Sequence, residues 1–491
     1  MNKNIVKIKS IEINNIKNVK NGKIDLISKN NIVKNDMNFE FNCDDENINY
    51  KNKEVNIDCT NVIGLYGQNG SGKTALVDAL NILKYIMMGK SIKSINSSND
   101  LNEFITFGAD IASIIVEFII INHEVKYIVK YEVRFEQIKD FDNNEKFTVS
   151  YEDFKVKKFN GTVWKREVSY LKHELNMEAF IEPKSKGNKL LKLSKEKELN
   201  LRLAEKMTVE EKQCSFFFNE TIYNMLSQIY SEDDIKILSI LKDFANHKFF
   251  IINNKHNAVI SMDFVLPIAF CENYGNTSTF GDLAISLYEP TLLSKNDYSI
   301  LKILLTKINL VIDAIIPNLQ LEIQEYGFQL DDNGNENIRC ELLSSRSDRK
   351  IPIRCESDGI IKIISVLNLL INMYNDESFC VIIDELDAGI FEYLLGEILT
   401  IIEENAKGQL IFTSHNLRPL ETLNKNNIYF TTTNENKRYI KLSGVKTNNN
   451  LRDFFIRSIN LGYKSENIYE ITKKSKIRRV FRKAGEINGC N

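Results

Sequence analysis

The chain has 491 residues, 43% of them apolar, and a formal net charge of −2. That is enough apolar material for one large composite core or two domains. So small a net charge excludes a general polyanion binder.

Ile5 to Ile16 alternates apolar and polar residues as a strand does, and the Asn-, Lys- and Asp-rich stretch from Lys29 to Thr60 reads as hairpins with polar loops. Val62 to Tyr66 is an apolar run that leads into Gly67-Gln68-Asn69-Gly70-Ser71-Gly72-Lys73-Thr74, the composition and context of a P-loop. Its three glycines let the backbone curl so that successive N–H groups point at phosphates, while a helix starting near Lys73 aims its positive dipole end at the same place. Lys73 then reaches the β- and γ-phosphates of a nucleoside triphosphate, and Thr74 offers its hydroxyl to Mg²⁺. Leu76, Ala79, Leu80, Leu83 and Met87 recur with helical spacing, which buries that helix against a sheet.

Ile114 to Phe135 supplies two β-rich segments around an Asn122-His123 turn. Asp110, Glu124 and Lys126 have the spacing of a restriction-type cutting triad, a pattern that arises readily by chance on strands. From Lys184 to His247 the pattern changes to charged helices, including Ser194 to Lys206 and Glu232 to Ala245, and another helix runs from Ser299 to Ile315. Strand-like segments return at Leu319 to Leu330 and Ile338 to Leu343, with Asp332-Asn333-Gly334 as their turn. The chain therefore reads as a split α/β head. Residues 1–150 carry the P-loop, 151–335 form a mainly helical insertion, 336–445 return to the head, and 446–491 form a basic C-terminal segment. The insertion lacks the sustained heptads of a long coiled-coil arm.

Arg346, Arg349, Lys350 and Arg354 are candidates to line the nucleotide interface. They precede Glu356-Ser357-Asp358-Gly359 and the apolar run Ile360 to Leu370, where Ser357 is the expected N-cap. Its hydroxyl and the first N–H groups of the helix would present an anion site. Phe379 to Ile383 is an apolar run of buried parallel-strand type ending in Asp384-Glu385. At the carboxyl end of a strand, Asp384 holds Mg²⁺ directly or through water and Glu385 polarises the attacking water. Leu410 to Phe412 is a second apolar strand; it ends in Thr413-Ser414-His415, where His415 can sense the γ-phosphate. Seven of the eleven residues from Lys473 to Lys483 are basic, which fits either a solvated helix or a docking surface for nucleic acid or an acidic partner.

The ordered set of P-loop, Ser-x-Gly, Asp-Glu and His resembles the ABC-type ATPase head shared by chromosome-maintenance and break-repair ATPases and by the OLD-like AAA family ATPases of bacteria. The strings IGLYGQNGSGKTALVDAL, ESDGIIKII, VIIDELDAG and LIFTSHN are most similar to the OLD-like branch, which includes the ATPase subunits of anti-phage systems such as PARIS and Septu. The resemblance covers residues 1–135 and 335–440. It implies that Ser357 and Gly359 touch the γ-phosphate held by the P-loop of a second subunit, so that a head-to-tail homodimer completes each site. Lys73, Thr74, Asp384, Glu385 and His415 would act from the subunit that holds the nucleotide. Two positions depart from the pattern. Phe391 replaces the aspartate or histidine usual after Asp387, and the Mg²⁺-sensing glutamine has no clear place, Gln137 being a weak candidate.

The reading that follows is an ATP- and Mg²⁺-dependent ATPase acting as sensor and scaffold in anti-phage defence. It would form a dimer or a higher homo-oligomer, control a separate toxin or nuclease, and answer to a nucleic-acid or phage-protein trigger. The alternatives are a DNA repair or replication-associated ATPase that clamps DNA, and a scaffold that binds ATP without turning it over. The segment after the head is too short for the nuclease domain fused to OLD proteins, and the five histidines form no HNH-type cluster. Eight cysteines without a CxxC pair indicate reduced structural thiols, with Cys214, Cys271, Cys355 and Cys380 in apolar or regular-looking surroundings. The opening MNKNIVKIKS has no apolar signal segment, and the longest apolar runs, such as Ile114 to Ile121 with Glu117 inside it, do not span a bilayer. The expectation is a cytoplasmic protein without a membrane span.

Overall fold

The computed structural model of the chain describes residues 4–27, 59–95, 104–123, 125–139, 145–175, 181–191, 195–253, 265–274, 277–330, 334–347, 349–442, 450–461, 466–470 and 472–485. Most of the Lys29 to Thr60 stretch and Glu124 lie outside the described residues.

The chain opens with β1 (Ile5–Ile16) and β2 (Val19–Asp25), followed by β3 (Val62–Tyr66) and helix α1 (Lys73–Met87). Along β1 buried residues alternate with half-buried ones until a register shift between Ile8 and Ser10 turns both Ser10 and Ile11 inward. β4 (Ile111–Asn122), β5 (Val125–Lys139), β6 (Glu145–Lys158) and β7 (Val168–Glu174) complete an antiparallel sheet in the order β2-β1-β4-β5-β6-β7. The β4–β5 turn falls where the sequence places it, with His123 at φ 54°.

Helices α2 (Lys184–Leu191), α3 (Lys195–Glu205), α4 (Glu220–Ser227) and α5 (Glu232–His247) follow, with a π-helical turn at Lys206–Glu211. Next come β8 (Phe249–Ile252), the hairpin β9 (Val265–Tyr274) and β10 (Thr277–Ser286), β11 (Thr291–Ser294), α6 (Lys295–Ile315), β12 (Gln320–Leu330), β13 (Glu336–Arg346) and β14 (Arg349–Pro352). Among the described residues between 151 and 335 the helices are interspersed with strands β7 to β12, and β8 does not stand apart from the head, because it pairs in parallel with a head strand, β15 (Cys380–Ile383). Its four apolar residues are too few to show a period, so the pattern could not reveal the strand.

The C-terminal half supplies α7 (Asp358–Asn375), β15, α8 (Glu392–Asn405), β16 (Gln409–Thr413), α9 (Pro419–Thr422), β17 (Ile428–Thr431), β18 (Tyr439–Ile440), α10 (Leu451–Leu461) and α11 (Lys474–Gly485). These build a second sheet in the order β18-β17-β3-β16-β15-β8, parallel throughout except for β18. β3, β8, β15, β16 and β17 are buried at every residue, as strands covered on both faces must be. α1 packs its Leu76, Ala79, Leu80, Leu83 and Met87 into the core shared with the antiparallel sheet. α7 is apolar nearly all round because it lies between two cores. Ile363, Val366 and Met373 join the parallel-sheet core, and Ile361, Ile364 and Leu367 join the core under β9 and α6.

The two halves are tied by buried side chains that act as strand neighbours. Gln409 accepts from the Ile8 N–H at 2.7 Å and donates to the Ile8 carbonyl at 2.8 Å, and Ser378 Oγ accepts from Val6 N–H and donates to the Asn4 carbonyl. Among the described residues no helix is long and apolar enough to cross a membrane. Cys214, Cys340, Cys355 and Cys380 are free thiols, and burial pushes Cys340 up to about 11.

Candidate active site

β3 ends at Tyr66 and the chain turns through Gly67 to Gly72 into α1. Two of the loop's glycines leave no room for a side chain. A Cβ on Gly67 would stand 1.6 Å from Thr431 Oγ1; one on Gly72, at φ 94°, would meet Val19 Cγ2 at 2.7 Å. The loop is braced from behind, where Thr431 Oγ1 donates to Ser71 Oγ at 2.6 Å and the Tyr439 hydroxyl donates to the Gly72 carbonyl at 2.7 Å. Lys73 Nζ folds back along the loop and donates to the carbonyls of Gly67 at 2.8 Å and Gln68 at 3.1 Å.

β16 lies between β3 and β15, so the carboxyl ends of these parallel strands deliver the P-loop, Asp384-Glu385 and Thr413-Ser414-His415 to one place. The pocket formed there is lined by Lys17, Asn18, Asn69, Gly70, Ser71, Gly72, Lys73, Thr74, Ala75, Asp384, Glu385 and His415. Thr74 Oγ1 donates to Asp384 Oδ2 at 3.2 Å and Thr413 Oγ1 donates to Asp384 Oδ1 at 2.5 Å. The His415 and Asn416 N–H groups both donate to Asp387 Oδ2, at 3.1 and 3.0 Å, while Asp387 Oδ1 is a buried oxygen without a donor.

Glu385 sits at φ 49°, a left-handed conformation that costs a non-glycine residue on the order of 1 kcal/mol. Two contacts hold it there. Its N–H donates to Thr413 Oγ1 at 2.8 Å, and its carbonyl accepts from Nζ of the buried Lys362 on α7. Burial pushes Lys73 and Lys362 below the ordinary lysine range, opposed in both by the carboxylates of Asp384, Glu385 and Asp387. Burial likewise raises Asp384, against the hydrogen bonds from Thr413 and Thr74. In the pocket itself Lys73 stands with Asp384 and Glu385, so a ligand there meets charge of both signs, while Lys362 and Asp387 act from behind the lining.

Gly67 and Gln68 form the base of the loop and are not in the lining; Gln68 Oε1 accepts from the Glu470 N–H at 2.9 Å. Ser357 and Gly359 are also outside it. Ser357 is exposed and caps α7, accepting from the Ile360 N–H at 3.4 Å, while Gly359 is pressed on the next turn so closely that a Cβ would lie 1.9 Å from the Gly389 carbonyl oxygen. Gln137 is exposed on β5 and Phe391 exposed ahead of α8, neither of them in the pocket. The basic cluster is absent from the lining too. Arg346 pairs with Glu356 at 2.9 Å, Lys350 with Glu322 at 2.5 Å and Arg354 with Glu341 at 2.5 Å. Lys17 and Asn18 were not singled out by pattern. They form the turn between Ile16 and Val19, Asn18 Nδ2 donates to the Gly70 carbonyl, and Lys17 Nζ reaches Asp78 on α1. A Lys-Asn pair at the tip of the first hairpin was the only available signal.

No protein-family model matches the chain, and no curated protein does. Among solved structures it is similar to the SmcHead bound to the C-winged helix domain of ScpA, at 12% identity over 89% of this chain and 98% of that one, with a TM-score of 0.38. The recombination mediator protein RecF-ATP in the RecFOR pathway follows at 13%, 84%, 94% and 0.32. An Smc head domain with a coiled coil and joint from Pyrococcus yayanosii gives 10%, 93%, 100% and 0.39. The class that fold and site define is an α/β P-loop head, split along the sequence between its two ends.

Proposed function

We propose that the chain is an ABC-type ATPase that binds and hydrolyses ATP with Mg²⁺ in a head-to-tail homodimer. The observation that supports it is the division of the expected site. Lys73, Thr74, Asp384, Glu385 and His415 share one pocket, while Ser357 stands exposed outside it at the N-terminus of α7. The donor set fits the ligand. The loop accepts no Cβ at Gly67 or Gly72, and the paired oxygens of Thr74 and Asp384 are the hard ligands Mg²⁺ takes when phosphates complete its shell.

Bound Mg²⁺ would supply charge neutralisation at the phosphates. The chain's own residues do the rest. Lys73, now on its loop carbonyls, would turn to the β- and γ-phosphates, and Asp384 and Thr74 would hold the ion. Glu385, fixed by Thr413 and Lys362, accepts the proton of the attacking water, and His415 donates to the γ-phosphate. The Ser357 hydroxyl, at the limit of hydrogen-bond length from its own helix, is available to the γ-phosphate of a second copy.

The likeness of the four motif strings to the OLD-like branch supports a controlling role in anti-phage defence, with the output delivered by a separate effector. Purified alone, the protein is expected to hydrolyse ATP and cleave neither DNA nor RNA.

Mixing two inactive variants tests the shared site. Ser357→Arg and Lys73→Ala each lose turnover, and their heterodimer regains one working site, because one subunit keeps its P-loop and the other its Ser357. A proven heterodimer as inactive as either parent would refute the arrangement.

A further inference from the structure

α11 carries six basic residues and no acidic one, and every residue of it is exposed. Ile477, Val480, Phe481 and Ala484 recur at helical spacing on a single stripe, and Ile477, Val480 and Phe481 are 44, 53 and 76% exposed. An amphipathic helix with its apolar stripe in water is a docking element without its partner. A counterpart exists on the same molecule. α8 contains four glutamates and no basic residue, and Tyr393, Glu397, Ile401 and Glu404 share its exposed outer face. Tyr393 and Ile401 are each 52% exposed, and Phe391, just ahead of the helix, is 68% exposed.

The two elements attach to different parts of the proposed composite site. Gln68 of the P-loop accepts from the Glu470 N–H at 2.9 Å, so α11, starting at Lys474, begins four residues beyond a contact with the base of the P-loop. α8 follows the turn whose Gly389 carbonyl is pressed against Gly359, so its N-terminal end lies beside Ser357. In a head-to-tail pair the P-loop of one copy faces Ser357 of the other, which carries α11 of the first toward α8 of the second.

We infer that α11 docks in trans on the acidic, partly apolar face of α8 of a second copy and clamps the composite site shut. The proposal rests on the head-to-tail reading. The basic face of α11 meets Glu397 and Glu404, and its apolar stripe covers Tyr393 and Ile401. A duplex nucleic acid would satisfy the basic residues but leave the stripe in water, whereas the α8 face satisfies both.

The test is sedimentation velocity of the full chain with ATP and Mg²⁺, in a Glu385→Gln background that holds nucleotide. Reversing Arg478→Glu with Arg482→Glu is expected to weaken dimerisation by about tenfold or more, and Glu397→Lys with Glu404→Lys to do the same. Mixing the two reversed chains, or combining all four changes in one chain, restores the dimer. All four side chains are exposed, and unchanged melting curves confirm the fold. Dimerisation unaffected by either reversal, or reversal without rescue, overturns the proposal. So does binding to anionic vesicles or to duplex DNA that the α11 reversal abolishes while the dimer persists. If the unreversed chain forms no ATP-dependent dimer and the Ser357→Arg and Lys73→Ala mixture shows no complementation, the head-to-tail reading fails and this inference with it.

Discussion

Thr413 is the smallest change that should damage the pocket most. Its side chain is 1% exposed, and its single oxygen serves two partners, donating to Asp384 Oδ1 at 2.5 Å and accepting from the Glu385 N–H at 2.8 Å. Thr413→Val keeps the shape and removes the oxygen. Asp384, also 1% exposed, keeps only the longer 3.2 Å bond from Thr74. A stranded buried partner costs about 1–3 kcal/mol each, so the pair should lower unfolding stability by about 3 kcal/mol. Thr413→Ser is the control. It keeps both hydrogen bonds and deletes one methyl, worth about 1 kcal/mol. Urea unfolding of the nucleotide-free protein should therefore rank Val below Ser by about 2 kcal/mol, even though Val keeps more apolar volume. Val as stable as Ser, or more so, would refute the reasoning.

Lys362→Met should lower turnover while leaving the equilibrium affinity for ATP nearly unchanged, because the lysine holds the left-handed Glu385 and does not line the pocket. An equal fall in both would assign it to binding. A pH test concerns Lys186, which burial depresses to about 8, with Asp234 opposing. Its folded pKa lies below the unfolded value of about 10.4, so the cost of burying the ammonium is fully present below pH 8 and fades as pH rises from there. The melting temperature of Lys186→Met relative to the parent should accordingly be more favourable at pH 7 than at pH 9.5; the opposite trend would reject the burial argument.

The elements that the sequence revealed carry their signal locally. The P-loop glycines, the apolar strand ending in Asp384-Glu385 and the Ser357 cap each need only a short stretch of chain to be read. What it concealed depends on contacts between distant parts of the chain. Lys17 and Asn18 matter because the first hairpin folds over Gly70, Thr413 because β16 lies beside β15, and Gln409 because its amide completes the hydrogen bonding of β1. β8 was hidden for another reason. It lies in the segment that reads as helical, four apolar residues after the end of a helix, yet it completes the edge of the parallel sheet. The basic cluster before Ser357 misled because spacing shows charges but not their partners, and Glu322, Glu341 and Glu356 neutralise three of the four within the same chain.

The most direct measurement is single-turnover hydrolysis by Glu385→Gln beside equilibrium ATP binding. The amide keeps the shape of the side chain and loses its basicity. If the pocket is an ATPase site with Glu385 as its base, ATP binds as in the parent and hydrolysis falls by about 10² or more. Hydrolysis at the parental rate would contradict the account.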